Sequence, residues 1–199
     1  MKNPIIRRAL LLGSALCLAT LPVLGDDGGG VRSPSMLADT CAGCHGTDGA
    51  SAGEMMPIIG GLDKQFMITA LMEFKSGERD STIMGRIAKG YSENELKAIA
   101  AYFAAQPWVS SPVEADPKLA ALGQVIHDKQ CKTCHEEGGR EQEDEAPRLA
   151  GQWPDYTLLY LRECHAKGSR CHPRKMGKRV SKLSDDELKA MAHYYASEK

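Results

Sequence analysis

Large side chains are scarce in this chain. It has 3 Phe, 6 Tyr and 2 Trp in 199 residues. A core drawn from so few rings is thin and needs added apolar bulk. No run of apolar residues is long enough to cross a bilayer: the longest, residues 9–24, stops at Asp26-Asp27-Gly28-Gly29-Gly30. A basic excess is missing too. The chain has 25 Lys+Arg against 26 Asp+Glu, a net charge of −1, which argues against nucleic acid as a partner. No strand-like alternation is present, so a sheet is not expected. No Gly-x-Gly-x-x-Gly follows a strand, so the chain has no dinucleotide or flavin site of its own.

What is present begins with an export leader. Lys2, Arg7 and Arg8 precede the apolar run, and small residues near Gly25 suit cleavage there. Residues 1–25 are therefore expected to be a signal peptide and the product to be periplasmic, with no stable membrane insertion; an uncleaved anchor is the alternative. Cys17 leaves with the leader, and no lipoprotein-type junction is seen. The remaining 174 residues carry 22 Lys+Arg against 26 Asp+Glu, a net charge of −4.

Six cysteines remain. Four lie in two identical frames, Cys41-Ala42-Gly43-Cys44-His45 and Cys131-Lys132-Thr133-Cys134-His135. Cys-x-x-Cys-His is the attachment frame of c-type haem. Two thiols three positions apart share one turn of backbone and can each join a haem vinyl group. The adjacent imidazole then reaches the iron. Two such frames predict two covalently bound haem c groups.

The frames belong to an internal repeat. Cys41, Pro57, Gly61 and Leu71 match Cys131, Pro147, Gly151 and Leu161 at an offset of 90 residues. Met84, Ser92 and Tyr102 match Met176, Ser184 and Tyr194 at an offset of 92, so the second copy has a longer loop before Met176. Two long copies mean a duplicated domain. Ser92-Glu93-Asn94-Glu95 and Ser184-Asp185-Asp186-Glu187 are capping boxes, and each opens a final helix. A middle helix is expected after Asp63, and its counterpart starts at Pro154. Another runs from Pro117 to about His127, with a shorter equivalent near residues 35–40. The expected organisation is all-α: a first domain at 26–106, a Pro- and Ser-rich linker at 107–117 and a second domain at 118–199. Three helices of each domain wrap a haem that also completes its core.

The second axial ligand follows from the register. Met55, Met56, Met67, Met72 and Met84 compete in the first half, and Met176 and Met191 in the second. Met84 and Met176 match, each eight residues before its capping serine, and Met191 reads as core. The expected iron ligands are therefore His45 and Met84, and His135 and Met176. His165 or His172 is the alternative to Met176. Pro57 and Pro147, each twelve residues after the ligating histidine, offer a carbonyl to the free imidazole N–H. His127 and His193 are expected on solvated helix surfaces. Cys164 and Cys171 flank Gly168 and suit a local disulfide in an oxidising compartment. A copper or zinc site formed with His165 and His172 is the alternative.

Together these features resemble the class I dihaem cytochromes. Within them, Phe74-Lys75-Ser76-Gly77-Glu78, the run from Ser81 through Met84 to Ser92, His127-Asp128-Lys129 and Ala150-Gly151-Gln152-Trp153 are similar to the cytochrome subunit of flavocytochrome c sulfide dehydrogenase. The Cys164/Cys171 pair departs from that pattern. The resemblance implies a heterodimer with an FAD-bearing subunit that oxidises sulfide. This chain would then be no catalyst alone. It would take electrons one at a time, with its first domain toward the flavin, and pass them to a soluble carrier such as a small cytochrome. A free periplasmic dihaem shuttle serving a terminal oxidase or reductase is the alternative. A dihaem peroxidase would need an open distal site, which two methionine ligands close.

Overall fold

The computed structural model describes residues 32–168, 171 and 173–199. The expected leader with Cys17, and His172, lie outside the described residues. Helices and turns make up the described chain, with one isolated bridge, Glu143 to Ala146, and no strand.

The first half carries α1 (Pro34–Asp39), α2 (Ala42–His45), α3 (Lys64–Ser76), α4 (Met84–Ala88) and α5 (Glu93–Ala104). The second carries α6 (Pro117–Gln130), a single 3-10 turn (Glu137–Gly139), α7 (Pro154–Lys167), α8 (Arg174–Val180) and α9 (Asp185–Ser197). The starts are set by side chains that satisfy orphan backbone N–H groups. Asp63 accepts from Phe66 N–H at 2.7 Å to open α3. Asp116 accepts from Lys118 and Leu119, with Pro117 in the first turn of α6. Both capping boxes form: Ser92 with Glu95 at α5, and Ser184 with Glu187 at α9.

Each half packs in the same order. In the first, α1 and α3 cover α5, and α4 lies on α3. In the second, α6 and α7 cover α9, and α8 lies on α7. Leu37, Met67, Leu96, Ile99 and Phe103 form the first core. Ile126, Leu161, Val180, Leu188, Met191, Tyr194 and Tyr195 form the second. Each fully buried side chain of this kind contributes about 1.5–3 kcal/mol. Gly123 lets α6 approach α9: a Cβ there would strike the Ala190 carbonyl and Tyr194.

The halves meet along a hydrogen-bonded seam. The Gln152 carboxamide spans the Ile58 peptide groups, accepting from Ile58 N–H at 2.9 Å and donating to Ile58 O at 3.0 Å. Gln142 does the same for Asp63 N–H and Gly61 O, both at 2.9 Å. The Trp153 indole N–H donates to Ser51, and Tyr156 N–H donates to Glu54 O.

Candidate haem-binding sites

The first Cys-x-x-Cys-His frame forms α2 and the second a turn at the end of α6, and both close with the same backbone bond. His45 N–H donates to Cys41 O at 3.0 Å, and His135 N–H donates to Cys131 O at 3.0 Å. That turn brings the second cysteine of each frame near enough to act on the thiol of the first. In both, the first cysteine is half-buried and the second exposed, and all four thiols are free. Burial pushes the Cys41 and Cys131 thiols up, so an uncharged sulfur suits each position. A thioether meets that need.

The imidazoles are prepared as neutral ligands. Burial holds His45 below the usual histidine value, and its bond to Pro57 opposes part of that. His45 Nδ1–H donates to the Pro57 carbonyl at 2.9 Å, which leaves Nε2 for a metal. Burial takes His135 down to about 4, and neighbouring His127 adds to the effect. Here the repeat departs from expectation. His135 Nδ1 is buried without a hydrogen-bond partner, and Pro147 does not receive it. The turns ahead of the two prolines differ. Met56 N–H to Gly53 O closes the first with one bond, whereas Glu143 and Ala146 exchange two in the second. A neutral imidazole beside paired thiols, twice over, fits two covalent haem c groups.

The methionines sort by place. Met84 opens α4, Met176 lies in the first turn of α8, and both are half-buried. Met67 and Met191 are core, and Met72 packs on the first core. Met55 and Met56 are exposed. Beside Met176, Gly177 has no room for a side chain, because the Gly168 carbonyl and Cys171 press on it. Cys164 and Cys171 are joined in a disulfide, both buried in the second core. His165 is exposed. Among the described residues no cluster of three or more metal-ligating side chains occurs, and none of their helices is long and apolar enough to cross a membrane.

Two histidines are not on the solvated surfaces expected of them. His127 is buried, 3% exposed, and its Nδ1 pairs with the Tyr195 hydroxyl at 3.2 Å. The helix crossing of α6 and α9 turns its ring inward onto Tyr194. His193 is half-buried and accepts from Asp116 N–H at 3.1 Å, tying the start of α6 to α9. The seam residues Gln142, Gln152 and Trp153 also went unassigned in the sequence. A signal existed for Gln152, which stands where the repeat has the core residue Leu62.

Comparison with known proteins agrees with this geometry. The family described as cytochrome c matches residues 34–106, and that described as cytochrome c oxidase, cbb3-type, subunit III matches residues 118–194. The cytochrome subunit of sulfide dehydrogenase from Chlorobaculum tepidum is 52% identical over 68 residues, 34% of this chain and 61% of that protein. The thiosulfate dehydrogenase electron acceptor of Stutzerimonas stutzeri is 30% identical over 213 residues, 94% of this chain and 93% of that one. Among solved structures, reduced cytochrome c4 from Pseudomonas stutzeri superposes with a TM-score of 0.75 at 25% identity, covering 86% of this chain and all of that chain.

Proposed function

We propose that this chain, which belongs to the dihaem c-type cytochromes, is the electron-transfer subunit of a flavocytochrome c sulfide dehydrogenase. The observation that carries the reading is the 52% identity to a cytochrome subunit of sulfide dehydrogenase, far above the identity to the relatives matched over their whole length. It is supported by the run from Ser81 to Ser92 that the sequence shares with that family.

The division of labour among the residues follows. Cys41 and Cys44, and Cys131 and Cys134, hold the two haems by thioether bonds. His45 and His135 would each bind an iron through the imidazole, and Met84 and Met176 through the thioether sulfur. The bound group supplies a one-electron iron couple. A methionine ligand favours the reduced state and raises the potential of that couple. Pro57 keeps the His45 ring oriented by its carbonyl. An FAD-bearing partner would release electrons in pairs, and the two sites would take one each. The first domain, residues 26–106, would face that partner. Domain 118–199 follows the linker at 107–117 and would discharge to a soluble carrier. The leader, residues 1–25, would direct the chain to the periplasm.

A second reading is a free dihaem shuttle. Similarity over almost the whole chain to an electron acceptor and to cytochrome c4 favours it. Purification of the native, untagged protein separates the two. A larger co-migrating subunit with flavin absorbance, and reduction of the haems by sulfide, is the expected result. Elution alone, flavin-free and inert to sulfide, makes the chain a shuttle.

A further inference from the structure

The two distal segments are matched in fold and opposed in surface. From Cys164 to Ser184 the sequence has seven Lys/Arg and no acidic residue; the counterpart, Phe74 to Ser92, has four Lys/Arg and two acids. Within α8 and just after it, Arg174, Lys175, Lys178, Arg179 and Lys182 are all exposed. Lys175, Lys178, Arg179 and Lys182 recur at the spacing that puts side chains on one helical face. The first-half positions are Thr82, Ile83, Arg86, Ile87 and Gly90. There Ile83 and Ile87 stand 45% and 38% exposed.

This basic face lies at the haem-attachment frame. Arg179 donates to Gln130 O, the residue before Cys131. Lys132, inside the frame, and Lys129, just before it, are exposed as well. Arg174, Lys175, Lys178, Lys182, Lys129 and Lys132 make no ion pair with a described residue. Outside this segment some cations are paired, as Arg162 with Asp185, Lys189 with Asp185 and Arg32 with Glu95, and the unpaired ones are not gathered on one short helix as those of α8 are. Like charges crowded on one helix repel one another. They are tolerable where an opposite surface docks, and such a surface also steers that partner in.

We propose that the α8 face of the second half is the docking surface for an acidic soluble electron-carrier protein, the site through which the chain discharges. The inference rests on the electron-transfer reading above and not on the identity of the donor. One electron passes per encounter: ferrous iron of the second site becomes ferric, and the carrier's metal is reduced by one unit.

The test uses the dihaem holoprotein, reduced beforehand with ascorbate so that no donor subunit enters. Plastocyanin, a small acidic blue-copper protein, is the probe. Lys175→Glu/Lys178→Glu is compared with the first-half pair Arg86→Glu/Lys89→Glu. Retained haem absorption and retained methionine-to-iron bands show that both variants are folded. The second-order rate with plastocyanin falls with salt, and at low salt falls about tenfold or more in the α8 variant. It changes less than about twofold in the first-half variant. Calorimetric titration of the oxidised proteins shows the same loss of binding without electron flow. Cationic tris(phenanthroline)cobalt(III) is reduced faster by the α8 variant. Equal effects of the two variants, or a rate flat with salt, overturn the proposal. So does α8-dependent binding to anionic phosphatidylglycerol vesicles with plastocyanin rates unchanged, which would make the face a membrane contact. A protein that discharges as expected but never takes electrons from a sulfide-oxidising flavoprotein leaves the docking face standing and removes the sulfide reading.

Discussion

The two halves share a backbone plan but line it differently. At matching positions the first core has Leu37 and Phe103, and the second has His127 and Tyr195. Leu37 and Phe103 are 0% and 1% exposed, and His127 and Tyr195 are 3% and 2% exposed. A hydrocarbon pair has been exchanged for a hydrogen-bonded one of similar burial. The two polar groups satisfy each other, where either alone would be buried unpaired at about 1–3 kcal/mol. At these two positions the halves keep similar burial while the chemistry of the contact differs. The distal segments differ in a similar way: Met84 and Met176 hold matching places, but the second packs against a core that includes the Cys164–Cys171 disulfide.

The largest expected break in the comparison comes from removing one haem. Cys41→Ala/Cys44→Ala and Cys131→Ala/Cys134→Ala should each halve the haem-to-protein ratio. Circular dichroism should show more helix lost in the first case, since α1 has 6 residues against 14 in α6 and no crosslink supports that half. Next come the methionines. Met84→Ala and Met176→Ala should each abolish one methionine-to-iron band and lower one potential by about 100 mV or more, read by spectroelectrochemical titration. Cys164→Ser/Cys171→Ser should cost the second half about 2–3 kcal/mol and leave the first unchanged, measured by denaturant unfolding followed at each haem.

Gln152→Leu restores the residue that the repeat has at Leu62. It should cost about 1–3 kcal/mol, because Ile58 N–H and C=O lose their partner, and should separate the two unfolding transitions. The smallest effect sharpens the comparison through pH. Burial holds His127 below its ordinary value of 6.5. The unfolded chain therefore takes up a proton below that pH before the folded chain does, and stability of the second half falls as pH drops through it. On the proposed ligation, with His45 kept on its iron in the folded and unfolded chain alike, the first half should show no such dependence. His127→Leu/Tyr195→Phe should bring the second half into line, as followed by thermal melts between pH 7 and 5.

Much of this was legible in the chain because it is written in local chemistry. The capping serines Ser92 and Ser184, Asp63, and the prolines at 117 and 154 act within one helical turn, so their helices could be placed from sequence. The haem frames were legible for the same reason: five residues contain the whole attachment device. His127 was not, because its exposure depends on which face of α6 meets α9, 68 residues from His127 to Tyr195. The missing His135–Pro147 bond was hidden too, since the register makes the two prolines equivalent and a second backbone bond between Glu143 and Ala146 makes their turns differ.

Sequence alone determined the all-α plan, the duplication and the two covalent haem frames, since each rests on residue type and spacing along the chain. Tertiary structure alone decided that Gln152 and Gln142 stitch the halves together and that His127 faces inward. It also put the cations of α8 beside the second frame through Arg179 and Gln130. Those outcomes depend on contacts between segments tens of residues apart, where burial and hydrogen-bond satisfaction, not local propensity, choose the arrangement.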